Sequence, residues 1–111
     1  MTSGTKTIMF PVKDLAQAKA LYDGLFGVDP DMDEPYYVGY TVDGQDVGLD
    51  PNGHAKGLTG VAVYWHVDDI EKSVERLRAA GGTVLQAITD VGGGKRIASV
   101  TDNDGNIVGV L

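Results

Sequence analysis

The sequence predicts an α+β fold built from two tandem copies of a strand–helix–strand–strand–strand pattern. Two internal repeats carry this prediction, since self-similarity along a chain indicates repeated structural units. Val12–Leu15 (Val-Lys-Asp-Leu) recurs as Val67–Ile70 (Val-Asp-Asp-Ile), an offset of 55 residues from 12 to 67. Asp43–Leu49 recurs as Asp104–Val110, an offset of 61 residues from 43 to 104. Both repeats keep their order, so the second half of the chain copies the first.

The length and composition are those of one globular domain. The chain has 111 residues, of which 42% are hydrophobic, enough for a core but too few for two independent domains. We expect a single domain over residues 1–111. Its first module covers residues 1–52, its linker residues 51–60 and its second module residues 61–111.

Each module is predicted to run from an apolar strand into a helix. Asp14 and Asp69 stand at the N-cap positions, where a carboxylate accepts an amide hydrogen of the first turn. The helices are predicted over 15–26 and 70–80. The apolar stripe that should bury the first helix comprises Leu15, Ala18, Leu21, Tyr22, Leu25 and Phe26.

Strands follow each helix and close in a tight hairpin. Asp-Gly at 43–44 and at 104–105 favours tight hairpin turns, because glycine adopts the positive φ that such turns need. The strands flanking these turns are therefore antiparallel. The predicted strands are 8–11 and 36–42 in the first module, and 61–65, 83–88 and 97–101 in the second, with one further strand after each turn.

The charge and the missing residue types exclude several classes of function. Nine Lys and Arg against sixteen Asp and Glu give a net charge of -7, which repels nucleic acids and anionic membranes. The chain has no Cys, so disulfides and thiolate chemistry are excluded. Residues 1–52 hold three basic and nine acidic side chains, whereas residues 53–111 hold six and seven. We expect a cytoplasmic protein whose first module is negative.

The repeated modules and one hairpin motif resemble those of a known superfamily. Residues 99–106 (Ser-Val-Thr-Asp-Asn-Asp-Gly-Asn) look like the Asp-Pro-Asp-Gly-Asn closing hairpin of the vicinal oxygen chelate proteins, with Asn103 in place of Pro. That superfamily includes glyoxalase I, the bleomycin-resistance proteins and the extradiol dioxygenases. The resemblance implies curved mixed sheets around a concave pocket, with the helices outside, and a homodimer.

The resemblance also implies four positions for metal ligands, on the first and last strands of each module. In this chain these positions hold Thr7, Gly48, Ala62 and Gly109. A divalent ion needs several carboxylate, imidazole or thiolate donors, which these residues do not supply. We therefore expect a member without a metal and without a cofactor.

Strand parity then indicates which side chains face the implied pocket. Tyr64 and His66 share a face with Ala62, since alternate residues of a strand point the same way. His66 therefore faces the pocket or, alternatively, only satisfies backbone groups at the strand end. On the other face, Val61, Val63, Trp65 and Val67 should pack against the helices.

In the first module the same argument selects Met9 and Asp46. Both lie on the implied pocket face, and a carboxylate there would bind a cationic group. The alternative for Asp46 is a solvated carboxylate on an edge strand. Tyr40 is a candidate for stacking on a planar ligand, with ordinary sheet packing as the alternative. The same applies to Tyr36, Tyr37 and Tyr64.

Two polar segments complete the candidates. Residues 92–94 are three glycines, which predict a mobile loop that leaves Lys95 and Arg96 available for an anionic ligand. The acidic run over 29–34 is interpreted as a solvated loop.

These observations favour a small-molecule-binding protein that sequesters or carries an organic ligand, cationic or aromatic. The alternative is an enzyme, a lyase, isomerase or dioxygenase. It would use a shifted ligand set around His66, Asp46 and Asp50, or His66 with Tyr64 as acid–base groups. A third interpretation is an accessory domain that works through protein contacts.

Overall fold

The computed structural model describes residues 2–111, which form eight strands and two α-helices. The first half contains β1 (Thr2–Pro11), α1 (Leu15–Phe26), β2 (Met32–Glu34), β3 (Tyr37–Val42) and β4 (Gln45–Asp50). After a short 3₁₀ helix, His54–Lys56, the second half contains β5 (Ala62–Val67), α2 (Ile70–Ala79), β6 (Thr83–Asp90), β7 (Arg96–Thr101) and β8 (Ile107–Val110). The predicted strand–helix–strand–strand–strand repeat and the α+β class are confirmed.

The chain divides into two compact units. The first unit is Thr7–Val61, and it contains the predicted linker. Its strand order is β2-β3-β4-β1, with β1 parallel to β4 and the other pairs antiparallel. The second unit consists of residues 2–6 and Ala62–Leu111. Its strand order is β5-β8-β7-β6, with β5 parallel to β8. Each unit is thus a mixed sheet with one helix.

Helix α1 begins and ends where the sequence predicts. The Asp14 carboxylate accepts a hydrogen bond from the Gln17 N–H at 3.0 Å, and Gly27 ends the helix with a left-handed φ of 68°. The helix packs on a core of Val38, Tyr40, Val47 and Leu49. The residues that pack on this core are Phe10, Val12, Leu15, Ala18, Tyr22, Phe26 and Val42.

The predicted apolar stripe of α1 is wrong at two positions. Leu21 and Leu25 are 67% and 72% exposed. The apolar residues of the helix spread over more of its circumference than the sheet covers, so the apolar spacing alone does not choose the buried face. The sheet buries the side that contains Tyr22 and Phe26, whose rings stack at 5.6 Å, and Leu21 and Leu25 lie outside it.

Helix α2 is amphipathic and packs on a smaller core. The Asp69 carboxylate caps it by accepting a hydrogen bond from the Lys72 N–H at 3.0 Å. Ile70, Ala98 and Val110 form the buried cluster. Val67, Val74, Leu77 and Ile88 pack against it. Trp65 was expected to face the helix, but it is 38% exposed. No helix within residues 2–111 has the length and apolar character needed to cross a membrane.

The tight turn predicted at 43–44 is present, whereas the strands around 104–105 are joined by a longer loop, 102–106, closed by a hydrogen bond from the Asp102 N–H to the Asn106 carbonyl. Asp43 and Gly44 both have positive φ, 49° and 83°, as a two-residue turn with this twist requires. One further strand was not placed by the sequence. Met32–Glu34 forms a short strand beside β3 inside the acidic run. Asp33 pairs with Lys19 at 2.6 Å, so this part of the run is ion-paired rather than only solvated.

Candidate functional site

The sheet face of the first unit that lies away from α1 carries two of the predicted site residues. β1 pairs Thr7 with Asp46 and Met9 with Gly48. Residues directly opposite each other on neighbouring strands share a face of the sheet. The Met9 and Asp46 side chains are half-buried, and Thr41 on β3 is the other neighbour of Asp46. A thioether, a carboxylate and two flanking hydroxyls therefore lie together.

Tyr37 lies across two glycines on this same face. A Cβ atom built on Gly48 would stand 2.7 Å from Cζ and 2.8 Å from Cε1 of Tyr37, far inside van der Waals contact. A Cβ atom on Gly39 would stand 2.9 Å from Cε2 of the same ring. The two glycines therefore make room for the ring. Tyr37 was only one of several aromatic candidates in the sequence, and its position beside Gly48 follows from the hairpin register.

Tyr40 lies on the opposite face and is corrected as a site residue. It pairs with Val47 and is 2% exposed in the core beneath α1. Its hydroxyl donates a hydrogen bond to Oδ1 of Asp23 at 2.5 Å. Burial, followed by this bond to the carboxylate, raises the pKa of Tyr40 well above its ordinary value of 10. Tyr40 therefore holds the helix on the sheet and does not join Met9 and Asp46.

Asp50 closes the loop after β4. Its side chain is buried, and it accepts hydrogen bonds from the Asn52 N–H at 2.8 Å and from Nζ of Lys56 at 2.8 Å. These charge-assisted hydrogen bonds hold the backbone of the loop that follows β4. The structure thus gives Asp50 a structural partner in place of the shared metal-ligand role considered from the sequence.

In the second unit the Tyr64 ring lies on the last strand in the same manner. A Cβ atom on Gly109 would stand 2.6 Å from Cγ and 2.7 Å from Cε2 of Tyr64. Tyr64 pairs with Gly109 across β5 and β8 and is 4% exposed. Ala62, two residues earlier on the same face, is also buried. Gly48 and Gly109, the implied metal-ligand positions on the two last strands, are therefore both covered by tyrosine rings.

His66 is exposed at the end of β5 and is held by the start of β1. Its Nδ1 atom is hydrogen-bonded to the Ser3 hydroxyl at 3.1 Å. Its carbonyl accepts a hydrogen bond from the Thr2 hydroxyl at 2.8 Å. The sequence did not place Ser3, because β1 extends six residues before the apolar run that predicted it. The imidazole ring thus bonds to a side-chain hydroxyl and not to a backbone group, and neither role expected for His66 describes this contact.

The glycine loop between β6 and β7 does not leave both basic residues available. Gly92, Gly93 and Gly94 all have positive φ, and the loop is closed by a bond from the Val91 N–H to the Lys95 carbonyl at 2.8 Å. Arg96, expected to be available for an anion, instead forms a salt bridge with Glu71 at the start of α2. Hydrogen bonding to Arg96 lowers the pKa of Glu71.

The residues at the four implied metal-ligand positions do not fit a metal ion. Thr7 offers one buried hydroxyl, and Ala62 offers no donor. A glutamate at position 48 or 109 would overlap a tyrosine ring from its first side-chain carbon onward. Within residues 2–111, no three His, Asp or Glu side chains come close enough together to hold a metal.

Comparisons with known proteins identify the family. The family model for the glyoxalase/bleomycin resistance protein/dioxygenase superfamily matches residues 4–110. A structure described as an NAD-dependent benzaldehyde dehydrogenase from Legionella pneumophila is 16% identical, with a TM-score of 0.76 over 94% of this chain and 95% of that one. A superfamily member from Vibrio splendidus 12B01 is 22% identical, with a TM-score of 0.71 over 94% and 93%. Methylmalonyl-CoA epimerase from Mycobacterium tuberculosis is 16% identical, with a TM-score of 0.68 over 98% and 87%.

At these identities the solved structures establish the fold alone. None of the curated proteins matches the chain. The family match spans nearly the whole sequence and agrees with the repeated modules and the closing hairpin. The chain belongs to the glyoxalase/bleomycin resistance protein/dioxygenase superfamily.

Proposed function

We propose that the protein binds a small organic cation on the face of the first unit that lies away from α1. The observation that carries the proposal is the grouping of the Asp46 carboxylate, the Met9 thioether and the Tyr37 ring on that face. A carboxylate attracts a cation, an aromatic ring adds a cation–π contact, and a thioether packs against aromatic or alkyl groups. Such a protein would sequester or carry its ligand.

The charge distribution supports the same ligand class. Residues 1–52 have three basic and nine acidic side chains, a net charge of -6. A negative surface raises the local concentration of a cationic ligand and speeds its association. Because the tyrosine rings take the space of the implied carboxylate ligands, we propose that binding needs no metal. The homodimer and the cytoplasmic location stay predictions.

Binding of benzyltrimethylammonium, measured by calorimetry, tests the cation site. Asp46→Asn should weaken binding about tenfold, because one short-range charge interaction is lost. Asp43→Asn is the matched control: it makes the same change of charge in the hairpin turn, three residues away, and should leave the affinity almost unchanged. Equal losses in the two variants would show that only net charge matters and would contradict the site.

Metal independence has its own test. Elemental analysis of the purified protein should find no stoichiometric transition metal, and Ni²⁺, Zn²⁺, Mn²⁺ and Fe²⁺ should not raise the melting temperature. A tightly bound metal would contradict this part of the proposal. The enzyme alternative would instead be favoured by turnover of the methylglyoxal–glutathione hemithioacetal that is lost in His66→Ala.

A further inference from the structure

The two helices present very different faces to the solvent. Of the six exposed residues of α2 five are charged: Glu71, Lys72, Glu75, Arg76, Arg78 and Ala79. The six exposed residues of α1, a helix that lies wholly within the described part of the chain, carry no charge: Ala16, Gln17, Ala20, Leu21, Gly24 and Leu25. A helix whose outer side meets only water normally carries charged and polar residues there. These six residues, the outer face of α1, therefore lack the composition of a surface that only water covers.

Two leucines form the centre of the outer face of α1. Leu21 and Leu25 are 67% and 72% exposed, and residues four positions apart are neighbours on a helix surface. Val28, which follows the end of the helix, is also exposed. Covering these side chains with a partner would remove apolar surface from water, which is the dominant favourable contribution to protein association.

Gly24 gives a partner close access to the outer face of α1. A Cβ atom built on Gly24 would meet no other described atom within 4 Å, so the surface above this residue is open. The neighbouring residue on the same face, Ala20, is also small. A side chain of a second helix therefore fits beside Leu21 and Leu25, as the packing of one helix on another requires.

One edge of the outer face of α1 is negative. Lys19 and Asp23, one turn apart on the helix, form this edge. Lys19 makes a salt bridge with Asp33 at 2.6 Å. The bond to Asp33, followed by the charges of Asp23 and Asp29, raises the pKa of this ammonium group. Three carboxylates thus act on one ammonium group, and the edge keeps an excess of negative charge.

We propose that the outer face of α1 binds an amphipathic helix of another protein, one whose apolar side is bordered by lysine or arginine. The apolar side chains of that helix cover Leu21 and Leu25, and its basic border lies along the three carboxylates. Charge complementarity favours this partner over a second copy of the chain, because residues 1–52 carry a net charge of -6 in each copy and would repel each other. The proposal is independent of the cation site, which lies on the sheet face away from α1.

A synthetic helical peptide tests this surface. The probe is a peptide of leucine and lysine, about 18 residues or five turns long, with leucine at every third or fourth position. Calorimetric titration of the full chain should show saturable binding, and the same peptide with glutamate in place of lysine should not bind. Leu25→Gln should weaken binding of the lysine peptide about tenfold, because burial of a leucine side chain is worth at least that factor. Val91→Gln is the matched control: it changes an apolar side chain of the second unit that is 53% exposed, and it should leave the affinity unchanged.

Substitutions of Gly24 separate close packing from general attraction between charges. Gly24→Gln places a long side chain on the outer face and should weaken binding of the lysine peptide about tenfold, as overpacking does at other tight contacts. Gly24→Ala keeps the residue small and should leave the affinity almost unchanged. Both variants should raise the melting temperature, because each replaces a glycine within a helix. A loss of binding in Gly24→Gln therefore does not come from unfolding.

Three outcomes would overturn the proposal. The first is equal binding of the lysine and glutamate peptides or of neither, and the second is an unchanged affinity in Leu25→Gln. The third is self-association of the parent chain in sedimentation that Leu25→Gln abolishes, because a second copy would then cover the face. Leu25→Gln should keep the parent affinity for benzyltrimethylammonium, so failure of this proposal is distinguishable from failure of the cation site.

Discussion

In both units a tyrosine ring covers the glycine of the last strand, but the tyrosine comes from a different strand in each. In the first unit the ring over the last-strand glycine comes from Tyr37 on β3, and in the second it comes from Tyr64 on β5. The glycine is at the matching place in both repeats, at 48 and 109. In both units, therefore, a tyrosine ring covers the glycine of the last strand, where there is no side chain. The ring comes from whichever neighbouring strand offers a tyrosine.

The helices differ more than the sheets do. α1 leaves Leu21 and Leu25 exposed and is anchored through its Asp23 to the Tyr40 hydroxyl. α2 has a polar outer face and a salt bridge from its Glu71 to Arg96. The first unit thus holds its helix with a partly buried hydrogen bond, and the second uses an exposed ion pair, which contributes little to stability.

The largest expected difference between the units lies at the two covered glycines. Gly109→Ala should destabilise the protein by about 3 kcal/mol and Gly48→Ala by about 1 kcal/mol, both within the range for overpacked cores. At Gly109 the new methyl group meets Cγ of Tyr64 at 2.6 Å, and that atom moves only if the whole ring leaves. At Gly48 it meets the hydroxyl end of Tyr37, which a small rotation displaces. Urea unfolding of both variants measures the difference, and the reverse order would contradict the explanation.

A smaller effect is expected where the first helix is fastened to its sheet. Tyr40→Phe removes the hydrogen bond to Asp23 and should cost about 1.5 kcal/mol, the lower end for a bond to a charged group. Tyr22→Phe is the control: its ring packs between Phe10 and Phe26 and should keep nearly full stability. Denaturant unfolding compares the two variants. Equal stability of Tyr40→Phe and the parent chain would show that the bond adds nothing.

The smallest effect concerns the closing hairpin of the second unit, and it depends on pH. Hydrogen bonds from the side chain and backbone of Asn106 hold the pKa of Asp102 below its ordinary value of 3.8. A lowered carboxyl pKa stabilises the fold above pH 3.8, and this contribution is lost as the pH falls through the lowered pKa. Asp102→Asn should therefore lower the melting temperature slightly at pH 7.

This difference should shrink toward zero as the pH falls through the lowered pKa of Asp102, because the native carboxylate is then also protonated. Asp104→Asn is the matched control in the same hairpin, because Asp104 donates its backbone N–H to Asp102 and its side chain is not part of that bond. A melting-temperature difference for Asp102→Asn that stays constant down to low pH would contradict the role of its charge.

The sequence predicted the elements whose signals are local. Asp14 and Asp69 cap the helices as expected, because capping depends only on residues within one turn. The two-residue turn at 43–44 also fixes the register of its strands. That register pairs Tyr40 with Val47 and Thr41 with Asp46. Continuing the register from the turn along both strands would therefore have placed Tyr40 beside Val47, on the core face and not on the face of Asp46.

Features that depend on packing between elements were not predictable in the same way. The exposure of Leu21 depends on how α1 rotates on its sheet, and the apolar residues of α1 spread over more of the helix than the sheet covers. The contact of Tyr64 with Gly109 joins strands 45 residues apart, from 64 to 109. Ser99 carried no signal, because a serine in a strand is ordinary until its hydroxyl is found buried without a partner.

The division of β1 has a consequence for the order of folding. Residues 2–6 belong to the second unit, whose other residues begin at 62, whereas the first unit is one continuous segment. During synthesis the first unit can fold as soon as residue 61 has emerged, but the second must wait for its last strands. Residues 2–6 find their neighbour earlier, once β5 has emerged, because Thr2 and Ser3 bond to His66 on that strand. A fragment of residues 62–111 would lack this segment, and with it the hydroxyl groups that hold His66.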